Sequence, residues 1–239
     1  MRRWVGLVLV AGALTACGGG DGGGAVTVLA ASSLTEVLEA IGEEFDGDVT
    51  FSFGGSSALV EQVAAGSPAD VLVTADLATM ATVEGVEETT IVARNRLTVI
   101  VEAGNPKHIE SLADLARDDV LTVLCAPAVP CGKLGAAALE RAGVTVEPAS
   151  LEENVKGVAS KVALGEADAG IVYATDVLAA GDGVEAVAFD SADDPELEAV
   201  YPMAVLPDAS DVELARRFVD FVAAREGQAI LREHGFLAP

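Results

Sequence analysis

The sequence predicts an α/β fold with a mostly parallel sheet, and three observations carry that prediction. Beyond residue 25, short runs rich in β-branched residues alternate with stretches of helical periodicity. Gly143 and Gly165 each follow such a stretch, where glycine suits the left-handed position past a helix end. Two long apolar runs, Leu97 to Glu102 and Val200 to Leu206, bracket the middle third of the chain. They suit a chain that crosses from one α/β lobe to a second and later returns, although a single doubly wound domain fits the periodicity equally well.

The first segment stands apart from that pattern. Arg2 and Arg3 precede the apolar run Trp4 to Ala13, and small residues lead up to Cys17, as in a secretory signal peptide. The run is too short for a spanning helix and is soon followed by glycines. Leu14-Thr15-Ala16-Cys17 resembles the lipobox of bacterial lipoproteins, where the cysteine becomes a lipidated N-terminus. An unlipidated secreted chain is the alternative. Residues 1–16 are thus expected to be a signal peptide, and residues 17–24 a lipidated cysteine with a glycine-rich tether spanning about 15 Å. The body is expected outside the cytoplasm, held at the outer face of the cytoplasmic membrane or in a periplasm.

Lipid on Cys17 leaves Cys125 and Cys131 as the remaining cysteines. In an oxidising compartment a disulfide between them would contribute about 2 kcal/mol, and two free thiols are the other reading.

After the tether, strands are expected at Val26 to Ala30, Val49 to Phe53, Asp70 to Thr74, Leu97 to Glu102, Leu121 to Cys125, Ala169 to Tyr173 and Val200 to Leu206. Leu34, Val37, Leu38, Ile41 and Phe45 share one helical face, as do Leu59, Val60, Val63 and Ala64. Helices are also expected over Lys133 to Ala142, Val155 to Leu164 and Val212 to Ala224, the last facing the core through Leu214, Phe218, Phe221 and Val222. No internal repeat stands out in the sequence.

Losing Arg2 and Arg3 takes the formal charge from −24 to −26. Such acidity argues against nucleic acid and polybasic membrane docking. Yet the turns that open the helices look made for an anion. Ser33-Leu34-Thr35-Glu36 fits a capping box, which alone would make Ser33 an N-cap. Gly54-Gly55-Ser56-Ser57, Pro130-Cys131-Gly132 and Glu153-Asn154-Val155 also lie between a strand and a helix, or at a helix start. Each leaves backbone N–H groups unpaired at a positive helix end. Glycines 54, 55 and 132 would let a ligand approach the backbone. Only Lys133 and Lys156 bring positive charge to these turns, so a site of neutral donors is expected. About six or seven donors, each returning about 1.5–3 kcal/mol, would offset the lost hydration of a dianion.

Taken together, VTVLAASSLTE, FSFGGSSALVEQVAAGSPADVLVTAD, APAVPCG, ENVKGVASKVALGEADAGIVYATD and the ending AILREHGF resemble the molybdate-binding proteins of bacterial ABC importers. The resemblance runs from about Val26 to the C-terminus. It implies the two-lobe periplasmic-binding-protein fold of type II, with lobe 1 formed by residues 25–101 and 203–239 and lobe 2 by residues 102–202. The ligand, molybdate or tungstate, would lie between the lobes. Ser33 and Ser56 match serines that offer hydroxyl and N–H, Cys131 and Val155 match positions offering a backbone N–H, and Tyr173 matches a tyrosine whose hydroxyl donates. The loop from Cys125 to Gly132 is one residue shorter than in well-known members; a bridge there would lock it with the Cys131 N–H aimed at the ligand. A register slip within Ser32-Ser33 or Ser56-Ser57 would exchange ligand for cap. No cofactor and no metal-cation site are implied, and the expected partners are the oxyanion and a membrane permease, with the chain a monomer.

The same residues bear on other functions. Gly54-Gly55-Ser56-Ser57-Ala58 lacks the closing glycine of a nucleophile elbow, and His108 and His234 sit in unsuitable contexts for a hydrolase. A transcriptional effector domain is opposed by the signal peptide and the lack of a basic DNA-binding segment. Ferric iron held by Tyr173 and Tyr201 is a further reading; Asp176 and the Asp70-Asp76 pair could be read as acid and base, but read better as caps or solvated charges. Within solute binding, sulfate or phosphate is the alternative ligand, and no P-loop occurs.

Overall fold

The computed structural model describes residues 24–239. The expected signal peptide, Cys17 and all but the last residue of the expected tether lie outside the described residues. No helix among the described residues is long and apolar enough to cross a membrane.

Two five-stranded sheets form the framework. In the first, β1 (Ala25–Ala31) runs parallel to β2 (Asp48–Gly54) and β3 (Val71–Val73). β4 (Thr90–Asn95) lies at its far edge. The second holds β5 (Leu97–Glu102), β6 (Thr122–Cys125), β7 (Ser150–Glu152), β8 (Ala169–Tyr173) and β9 (Val184–Val187), in the order β7-β6-β8-β5-β9. β10 (Ala199–Val205) returns to the first sheet, which reads β2-β1-β3-β10-β4. β5 and β10 occupy the same fourth place in their sheets, and each runs antiparallel to both neighbours. The two lobes therefore repeat one topology that the sequence does not display as a repeat.

The α/β expectation and the two-lobe fold are borne out, but the crossings sit earlier than expected. Leu97–Glu102 is the first strand of the second lobe, not the last of the first, because the chain changes sheets at Arg96. On the return, β10 pairs with β3 and β4 from Ala199 onward, ahead of the expected boundary at 202/203. A strand's burial marks that it is central without saying to which sheet it belongs.

All seven expected strands are present within a residue or so. The three that were missed, β4, β7 and β9, are all edge strands. β7 has three residues, and β4 and β9 mix charged or amide side chains with apolar ones, as edges with one solvated face do. Central strands read clearly because both faces are covered: every residue of β8 is buried.

The helices follow the strands in turn: α1 (Thr35–Glu44), α2 (Ser56–Ala64), α3 (Leu77–Met80), α4 (Pro130–Ala142), α5 (Val155–Ala163) and α6 (Ala174–Ala180). α7 (Val212–Ala223) buries Leu214, Phe218, Val219 and Val222, while Phe221 is only partly covered. Phe218 meets Phe45 edge to face at 5.2 Å. α8 (Arg225–Glu233), not read from the sequence, packs on α7 and α1.

Candidate functional site

One small cavity lies between the lobes, at the C-terminal ends of the parallel strands, bordered by Ser33, Ser56, Cys131, Val155 and Tyr173. All five residues singled out in the sequence are thus brought together, two from the first lobe and three from the second.

Ser33 reaches the cavity because β1 ends at Ala31 and the chain tightens into a 3-10 turn, Ser32–Leu34, before α1 begins. The capping box read from Ser33 to Glu36 is not formed. Leu34 precedes α1, neither helix start has a side-chain cap, and the Ser33 hydroxyl instead lies 2.9 Å from Tyr201 Oη. Ser32 also borders the cavity. Ser56 is the first residue of α2, and its Oγ accepts the Ala75 N–H at 3.0 Å, so its own proton is free to point elsewhere. Ser57 is committed differently: it donates to Ala128 O across the cleft at 3.1 Å.

On the other side, Pro130 opens α4 without an N–H, which makes Cys131 the first backbone donor of that turn. Cys131 is joined to Cys125 by a disulfide with Cα atoms 5.8 Å apart, tying the start of α4 to the end of β6. Asn154 caps α5 by accepting the Gly157 N–H at 3.1 Å, leaving the Val155 N–H of the first turn unpaired within the helix. Tyr173 ends β8, is 1% exposed, and has a hydroxyl with no hydrogen-bond partner. Burial pushes its phenol well above the usual range, so the proton that makes it a donor stays in place.

Gly54 and Gly55 border the cavity, and Gly132 lies beside it in the first turn of α4. A Cβ on Gly55 would come within 2.4 Å of Glu153 O in the opposite lobe, and one on Gly132 within 1.9 Å of Ala126 O. Gly54 faces the side chain of Leu59. Their small size lets backbone approach backbone across the cleft and within the loop.

Of the residues bordering the cavity only Glu153 carries a formal charge, and it is exposed. The lysines are engaged at the rim in pairs that span the cleft. Lys133 of α4 bonds Asp76, the N-cap of α3, at 3.0 Å, and Lys156 of α5 bonds Glu36 of α1 at 2.6 Å. Asp176 lies deeper: it is buried, and one of its oxygens accepts the Tyr173 N–H at 3.1 Å. Its other oxygen has no partner, and burial lifts its carboxyl to about 7, against the pull of Lys156. It is therefore a buried cap, not a solvated charge. Asp70 is neither a helix cap nor solvated: it is buried before β3, where it accepts from Thr27 N–H and from the N–H and hydroxyl of Ser210.

The cavity measures about 20 Å³, room for one compact ion or a water or two, far below the several hundred Å³ of sites for organic ligands. Neither histidine borders it, which leaves Ser56 without a base. Tyr201 stands behind the cavity, bonded to Ser33, and among the described residues no group of three or more His, Cys, Asp or Glu could hold a metal ion.

Residues 26–237 match the family model of the bacterial extracellular solute-binding proteins. The chain belongs to that family. The family's members bind solutes outside the cytoplasm, so this solute-binding protein is a receptor and not an enzyme. The molybdate-binding protein ModA of Mycobacterium tuberculosis H37Rv is 38% identical over 263 residues, covering 99% of this chain and all of that protein. Among solved structures, the periplasmic molybdate-binding protein of Azotobacter vinelandii matches with a TM-score of 0.74 at 18% identity, over 90% of this chain and 99% of that one. The sulfate-binding protein SubI of M. tuberculosis matches at 0.68 and 20%, over 89% and 86%. These two structures share the fold and differ in the anion named.

Sequence reasoning missed what stands around the five residues. The cross-lobe lysine pairs, the Ala75 N–H on Ser56 and the polar groups behind Ser33 connect residues distant in the chain, and no local pattern marks such pairings.

Proposed function

We propose that the chain is the extracytoplasmic receptor of an ABC importer for molybdate, and for tungstate, which matches it in charge and size. The observation that carries this reading is a cavity for a single small ion, rich in donors and without a bordering cation, bordered by a Tyr173 whose buried hydroxyl has no partner. The hydroxyls of Ser33, Ser56 and Tyr173 with the N–H groups of Ser33, Ser56, Cys131 and Val155 supply the donors. Each charge-assisted bond returns about 1.5–3 kcal/mol against the lost hydration.

Full-length similarity to a mycobacterial protein named for molybdate favours that ion. Sulfate carries the same charge on a smaller body, and hydrogen phosphate brings a proton that a donor-rich cavity accommodates poorly. Contacts across the cleft, from Ser57 to Ala128 and from the two lysines, fit a closed form able to dock on a permease. Lipid on Cys17 would keep the monomeric receptor at the membrane. Equilibrium dialysis with elemental analysis tests the ligand: one molybdenum retained per chain in excess sulfate is expected, and retention of none would refute it.

A further inference from the structure

Behind the cavity runs a line of buried polar groups that the binding residues do not account for. Tyr201 of β10 is fully buried and does not border the cavity, yet its Oη lies 2.9 Å from Ser33 Oγ. Asn95, the last residue of β4, places Nδ2 at 3.4 Å from the same Oη and at 2.7 Å from Thr175 Oγ1 on α6. Asn95 Oδ1 accepts the Arg96 N–H at 3.0 Å.

These partners fix a direction. With Oδ1 taken by Arg96, the group that faces Tyr201 is the amide NH2, which only donates. Tyr201 Oη therefore accepts on that side, and among the described residues Ser33 Oγ is the one acceptor within its reach. Ser33 thus accepts from Tyr201, and its own proton is left for the cavity. Burial pushes the Tyr201 phenol pKa upward, so the line stays neutral.

We propose that Asn95 and Tyr201 are positioning residues that hold the Ser33 hydroxyl as a donor toward the ligand, favouring an oxyanion whose oxygens carry no proton. The proposal rests on the cavity being the anion site. Because Thr175 belongs to the second lobe, the line also bridges the lobes beside the crossing at Arg96.

The test is a double-mutant cycle of wild type, Ser33→Ala, Tyr201→Phe and the double variant, titrated calorimetrically with molybdate, sulfate and phosphate, with thermal unfolding as a check on folding. Tyr201→Phe keeps the ring that packs on Phe236 and Tyr173. It is expected to weaken binding roughly 3- to 10-fold alone and by less than about 2-fold in the Ser33→Ala background. Phosphate should lose less than molybdate, since the freed serine can then accept a proton. Equal losses in both backgrounds would mean a general structural role and overturn the proposal, as would unchanged affinity in Tyr201→Phe alone. If wild type binds sulfate or phosphate but not molybdate, the proposed ligand fails and the cycle is read with the ion that binds. No binding of any of the three removes the site, and this proposal with it.

Discussion

Tyr173→Phe removes one oxygen and should move two quantities in opposite directions. In the closed cleft the hydroxyl has no protein partner, and with no anion to take its proton that burial costs about 1–3 kcal/mol. Deleting it should stabilise the chain. At the lower end of that range the gain is about 1 kcal/mol, or roughly 2–4 °C in Tm for a chain of this size. With the anion bound, the same hydroxyl is a charge-assisted donor, and its loss should cost about 1.5–3 kcal/mol, about 10- to 150-fold in Kd. Thermal unfolding with and without molybdate, beside a titration, measures both. The variant should melt higher than wild type when empty and gain less from ligand. Wild-type affinity would take Tyr173 off the ligand, and a lower empty Tm would mean that the hydroxyl has a protein partner.

The other predictions concern groups around the same cavity. Asp176 has its pKa raised by burial to about 7 from 3.8, so the folded chain holds a proton that the unfolded chain releases, and the associated stability is present below about pH 4 and lost as pH rises toward 7. Asp176→Asn, which can still accept the Tyr173 N–H, should therefore stabilise the chain at pH 8 and change little at pH 4; a pH-independent difference in denaturation midpoint would contradict this. Replacing Cys125 and Cys131 by serine should cost about 2 kcal/mol in a denaturant titration, from the entropy of opening so short a loop, and an unchanged midpoint would refute that contribution. Ser56→Ala strands the buried Ala75 N–H as well as removing a ligand donor, so stability should fall by about 1–3 kcal/mol together with affinity. Ser57→Ala should change affinity less; the opposite ranking would mean that the serine register is wrong.

Much of this was legible before the structure, for physical reasons. Central strands such as Ala169–Tyr173 are apolar throughout because both faces are covered, and α7 shows its buried face at helical spacing. Four of the five cavity residues lie in turns that read as anion sites and were picked out with the family resemblance, while Tyr173, at the end of a strand, was named from the resemblance alone. Ser33 alone would have been misread, since its sequence fits a capping box that the 3-10 turn at Ser32–Leu34 prevents. Edge strands β4, β7 and β9 carried too few apolar residues to be seen. The crossing at Arg96 escaped because apolar pattern does not encode sheet membership. Tyr201, set apart as a candidate iron ligand, proved to be the hydrogen-bond partner of Ser33, a pairing between residues 168 positions apart that periodicity cannot reveal.

The central claim is that this cleft takes molybdate in preference to other tetrahedral oxyanions. Calorimetric titration of the chain from Gly18 onward tests it most directly, because the only tryptophan, Trp4, lies in the expected signal peptide and offers no fluorescence signal. Tight one-to-one binding of molybdate that excess sulfate and phosphate do not displace is the predicted result. Heat from sulfate or phosphate with none from molybdate would contradict it.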